Sequence, residues 1–158
     1  MKSSKETFTL TAESGHIVDL ASGRHGDPFS VLGRHIVEGS EVFRCFQPRT
    51  LNMWLHDESR PMKRIPGTDM FECVAKPGEV PAHYQLIRET DYGTKFSRHD
   101  PYAFWTQLNK DEMAAFNFGQ HRYAQRLLGA RRHDVEGIVG TLFSVWAPNA
   151  GRVSVIGD

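Results

Sequence analysis

VFRCFQPRTLNMWLHD at residues 42–57 decides the fold, because LFSVWAPNAGRVSVIGD at residues 142–158 reads in the same order. At an offset of 100 residues Phe43 falls on Phe143, Phe46 on Trp146 and Pro48 on Pro148. Met53 and Leu55 fall on Val153 and Val155. Each copy reads as a strand, a Pro-marked turn and a second strand. The first copy is followed by enough chain to complete a β domain. The second runs only to Asp158, just past its second strand, so we expect a strand pair whose remaining partners belong to a longer protein.

The text around the first copy supports a sandwich. Residues 36–47 and 51–57 read as strands joined at Pro48-Arg49-Thr50, with Met53 and Leu55 on one face and Trp54 and His56 on the other. Short strands are expected at 62–65, 70–75, 82–89 and 95–97, separated by Pro- and Gly-marked turns. Turns at such close intervals predict an antiparallel sandwich. Before it, Ile17, Val18, Leu20 and Ala21 share a helical face, with Ser14 as a cap and Gly23 as a stop. After it, DEMAAFNFGQHRYAQRLLGARR is rich in helix formers, and Met113, Phe116, Tyr123, Leu127 and Leu128 line one side. The expected organisation is a helical segment over 1–26, a first sandwich over 27–106, a helical linker over 107–136 and an incomplete second sandwich over 137–158. The fold class is all-β, an immunoglobulin-like sandwich with short flanking helices.

Composition narrows the function classes. Nineteen basic and nineteen acidic residues give zero formal net charge, so no basic excess argues for nucleic acid. The opening MKSSKETFTLTAESGH lacks the apolar run of a signal peptide. No stretch approaches the roughly 20 apolar residues of a membrane span. Cys45 and Cys73 sit in apolar strand-like text; a bridge between them is open, and buried free thiols of a cytoplasmic protein are the preferred reading.

Chemistry is hard to find. No phosphate loop, C-x-x-C, H-E-x-x-H or G-x-S-x-G occurs, and the eight histidines do not recur at metal-ligand spacing. We assign no catalytic residue, metal or cofactor. His16, His25 and His35 read as turn and surface residues. Asp27 and Asp100 both precede proline and read as Asx-type turns rather than as an acid–base pair. The aromatic residues carry more. A flat ring on an exposed sheet face stacks on the apolar face of a glucose unit, whereas a buried ring packs a core. Trp54, Tyr102 and Trp105 are the candidates for sugar contact. Packing is the expected role of Trp105 and Trp146, and Trp54 stays open between the two.

The segments GRHGDPFSVLGRH (23–35), DPYAFW (100–105) and GTLFSVWAPNAGRVSVIGD (140–158) together resemble the N-terminal region of bacterial glycogen branching enzymes. In that family a helix and a DPF-x-x-LG segment open a first sandwich and a DPY-x-F segment closes it. A linker then leads to a second sandwich that opens with WAPNA-like text. The resemblance implies a role in forming α-1,6 branches from α-1,4-glucan. Catalysis in such enzymes is a retaining double displacement on a (β/α)8 barrel. None of the barrel's catalytic motifs has a counterpart here, so this portion is expected to be non-catalytic. It would position glycogen, influence the length of chain transferred, and work beside the catalytic domain of the same enzyme. Two other readings stand beside this: an autonomous glucan-binding module, and a truncated product without activity.

Overall fold

The computed structural model describes residues 14–156. The expectations for the polar opening at 1–13 and for the final two residues lie outside the described residues. The chain divides into two compact units, residues 1–103 and 104–158.

In the first unit, helix α1 (Ser14–Ser22) and a 3₁₀ turn (Pro28–Ser30) precede seven strands. These are β1 (Gly33–Val37), β2 (Ser40–Phe46), β3 (Thr50–Leu55), β4 (Lys63–Arg64), β5 (Met70–Ala75), β6 (Gln85–Thr90) and β7 (Lys95–His99). They form a four-stranded sheet in the order β1-β2-β5-β4 and a three-stranded sheet in the order β3-β6-β7. Every pairing in both sheets is antiparallel. This is the all-β sandwich that the strand and turn spacing predicts.

Alternation along the strands builds the core. Phe43 and Cys45 of β2 and Phe71 of β5 meet Met53 and Leu55 of β3 and Leu86 of β6 in one buried cluster. Tyr84 joins them, its ring edge-on to Phe43 at 5.0 Å between centroids. Burying one such side chain stabilises by about 1.5–3 kcal/mol. The next residues along the same strands face the other way. Phe46 pairs with Met70 across β2 and β5, and Met70 forms a second cluster with Val31, Leu32 and Ile65. Ile17 and Leu20 of α1 pack on that second cluster. The helix therefore covers part of the outer face of the four-stranded sheet, which is why its amphipathic pattern is visible in the sequence. Cys45 and Cys73 are both free thiols, and burial pushes each of them up.

Two expectations need correction here. The single strand read over 36–47 is two strands, broken at Glu38-Gly39, where φ is 50° and 80°. Left-handed backbone at both turn residues makes a tight hairpin, and Val37 pairs with Ser40. Asp27 makes no side-chain cap, although its carbonyl oxygen accepts from the Ser30 hydroxyl at 2.7 Å. Asp100 does form the expected turn, accepting from the Tyr102 N–H at 3.0 Å.

The second unit holds α2 (Lys110–Asn117), α3 (Ala124–Leu127) and an antiparallel hairpin of β8 (Gly129–Val135) and β9 (Ile138–Ser144). Asn109 caps α2 by accepting from the Asp111 and Glu112 N–H groups. The stretch read as a helical linker thus becomes strand at Gly129. Its hairpin turns at Glu136-Gly137, with φ of 53° and 85°. The second strand expected after Pro148 is not formed, since residues 153–156 have no strand partner among the described residues. Of the apolar side expected on the helices, only Leu127 is buried; Met113 and Tyr123 are exposed.

Candidate functional site

Register identifies the outer face of the three-stranded sheet. Met53 and Leu55 point into the core, so their neighbour Trp54 points out, as its strand position predicts. Trp54 pairs with Ile87, and Ile87 with Ser97, making one outward row. Asn52, Glu89 and Lys95 make the row beside it, and Gln85 with His99 a third. The face is hydrogen-bonded across its strands. The Asn52 amide donates to Glu89 at 2.7 Å. The Ser97 hydroxyl donates to the Gln85 side-chain oxygen at 2.6 Å.

Trp54 is half-buried. The Trp54 backbone forms an antiparallel bridge with Pro61, and the Lys95 ammonium stands 4.4 Å from the indole centroid. Lys95 also pairs with Glu58 at 2.8 Å. Glu58 rides on a loop that Asp57 fixes. Asp57 accepts from the Ser59 N–H at 2.9 Å and from the Arg60 guanidinium at 2.5 Å. Hydrogen bonding from the Ser59 hydroxyl is the main reason its carboxyl lies below the usual range. An aromatic ring ringed by amide, hydroxyl and charged groups is the chemistry that fits a sugar, whose ring has an apolar face and a polar rim.

The other two candidates are placed differently. Tyr102 packs on the α1-side cluster and lies edge-on to Phe29 at 5.0 Å, so its ring serves the interior of the first unit. Trp105, expected to pack, is 82% exposed. Trp146 packs edge-on against Phe116 at 5.5 Å yet remains 55% exposed. Trp54 and Tyr102 belong to opposite sides of the sandwich and are not brought together. His16 and His25 do meet, at 2.7 Å between ring nitrogens. No group of three or more metal-ligating side chains occurs among the described residues, and a pair is too few to define a metal centre.

Sequence reasoning missed Lys95, Glu58, Asn52 and Glu89. The period-2 alternation through 85–90 carried a signal for Glu89, but pairing it to Asn52 and Lys95 required register, which a two-strand reading does not supply. Among the described residues no helix is long and apolar enough to cross a membrane.

Comparison with known proteins places this sandwich in a family. The model described as alpha-1,4-glucan branching enzyme GlgB, N-terminal domain, matches residues 13–102, nearly the whole first unit. A 1,4-alpha-glucan branching enzyme GlgB of Methylococcus capsulatus is 38% identical over 97% of the chain. Those of Nitrosomonas europaea and Cellvibrio japonicus are 39% and 37% identical over 100% and 92% of it. The chain belongs to the GlgB N-terminal domain family. It spans 21% of the length of the Methylococcus relative and 22% of the Nitrosomonas one.

Proposed function

We propose that this chain is the accessory, non-catalytic portion of a cytoplasmic glycogen branching enzyme. It holds α-glucan for a catalytic domain of the same enzyme and influences the length of chain transferred. Membership in the GlgB N-terminal domain family carries the reading. The outward Trp54, set in a polar sheet face, is the surface that supports glucan contact. Chemistry would reside in the paired carboxylates of the barrel, so the chain alone should leave amylose unbranched. Affinity electrophoresis in glycogen gels tests the binding half. Trp54→Ala should migrate faster than wild type in glycogen and equally without it. Equal migration of the two proteins in both gels would remove Trp54 from the site. An iodine-colour and α-1,6-linkage assay on amylose tests the other half, and turnover above a heat-killed control would overturn the non-catalytic role.

The bare Trp105, at 82% exposure, favours a second reading, an autonomous carbohydrate-binding module. Under it the chain alone would be retarded by glycogen, and Trp105→Ala would reduce that retardation.

A further inference from the structure

Lys95 does something its nearest partner does not require. In register it lies opposite Glu89, an acid that already accepts from Asn52. Instead its ammonium extends to Glu58 at 2.8 Å. β3 pairs with β6 along one edge, and Pro61 bridges Trp54 on the other. The loop carrying Glu58 therefore lies across Trp54 from the strand carrying Lys95. Reaching Glu58 places the Lys95 ammonium over the indole, 4.4 Å from the ring centroid. A pyranose stacked on the indole would take that same place.

We propose that Lys95 and Glu58 form a latch over Trp54, and that glucan binds by displacing the Lys95 ammonium from the ring. The inference rests on the reading of Trp54 as the glucan platform. Both latch side chains are open to water, 39% and 60% exposed. An exposed ion pair and an exposed cation–π contact are each weak, so the latch tunes affinity rather than abolishing it. Salt adds a signature that a simple platform lacks. Glycogen is neutral, so stacking on a bare indole is indifferent to ionic strength. Screening the Lys95–Glu58 attraction loosens the latch, and affinity should rise with salt.

The test is glycogen affinity of the full chain at low and high sodium chloride, for wild type, Lys95→Met, Glu58→Gln, Trp54→Phe and Trp54→Ala. Lys95→Met keeps the apolar stem and removes the charge; we expect about three- to tenfold tighter binding, the range set by contacts of this kind. Glu58→Gln should tighten binding less and flatten the salt response. Trp54→Phe should keep a stacking face, and Trp54→Ala should lose binding. If Lys95→Met and Glu58→Gln bind as wild type or more weakly while Trp54→Ala still loses binding, the latch is overturned and the platform stands. If Trp54→Ala matches wild type, or no variant binds glycogen, the platform fails and the latch with it.

Discussion

The Tyr84 hydroxyl donates to the Asp100 carboxylate at 2.5 Å, deep in the sandwich, where Asp100 is 2% and Tyr84 1% exposed. The other carboxylate oxygen accepts from the Tyr102 N–H, so Asp100 ties the core to the turn that closes the first unit. Burial pushes the Asp100 carboxyl above its ordinary value, more than the two hydrogen bonds pull it down. Burial likewise pushes the Tyr84 hydroxyl up, helped by the neighbouring carboxylate.

A raised carboxyl predicts a pH dependence of known sign. The folded state holds the Asp100 proton more tightly than the unfolded chain. Its contribution to stability is complete below the unfolded value, about 4, and is lost as pH rises through the folded value. Asp100→Asn keeps the shape; its carbonyl accepts from the Tyr102 N–H while its amide donates to the Tyr84 oxygen. The melting temperature of wild type relative to Asp100→Asn should therefore rise as pH falls from neutrality toward 4. A difference that is flat across that window would show that burial does not raise the Asp100 carboxyl.

Gly33 and the Tyr102 backbone make a second prediction. Gly33 opens β1 at φ 91°, and an added Cβ would lie 2.8 Å from the Tyr102 carbonyl oxygen and 3.0 Å from its Cβ. Tyr102 has little freedom to retreat, because Asp100 holds its N–H. Gly33→Ala should destabilise by about 2–4 kcal/mol in denaturant unfolding, combining left-handed strain with the clash. Gly137, at φ 85° with nothing within 4 Å of an added Cβ, is the control. Gly137→Ala should cost only about 1 kcal/mol. Equal costs at the two positions would mean that the close approach to Tyr102 contributes nothing.

The two buried clusters draw only on residues of the first unit. A chain cut after Ala103 should therefore keep the melting temperature of the whole chain to within a few degrees. Val145, Trp146, Val153, Val155 and Ile156 are each more than half exposed. Exposed apolar surface of that kind invites association, so the shorter chain should also remain monomeric at higher concentration by light scattering. A fall of ten degrees or more on truncation would show that the first unit depends on the second for its stability.

Period and punctuation account for the part of the structure that the sequence disclosed. Met53 and Leu55 against Trp54 is a period-2 signal, and it placed all three side chains on their observed faces. The amphipathic stripe of α1 likewise marked Ile17 and Leu20 as packed, whereas Val18 and Ala21, read on the same face, are exposed. The break at Glu38-Gly39 is legible in principle, since a glycine after a polar residue between alternating runs is a hairpin signal. The polar run Glu38-Gly39-Ser40-Glu41 between Val37 and Val42 carries that signal. The burial of Asp100 was not legible: its proline neighbour announces a turn, but Tyr84 reaches it only once the sandwich closes. The bare ring of Trp105 was hidden for the opposite reason. An aromatic cluster looks the same in sequence whether or not a core receives it. The latch residues Lys95 and Glu58 looked like ordinary turn charges, because their relation to Trp54 exists only across three strands.

The β1–β2 and β8–β9 hairpins turn on the same two residue types, Glu38-Gly39 and Glu136-Gly137, and each closes with its flanking valine paired to the first residue of the returning strand. Such a reversal needs no distant help: a hairpin of this kind zips in about 1–10 μs. By contrast, β2 meets β5 by bringing Phe46 to Met70, a wider loop whose closure carries an entropic cost. Contact separation alone therefore predicts that the β1–β2 turn closes before β2 meets β5. The β3–β6 pairing closes a wider loop still, from Leu55 to Leu86, and is expected to form last.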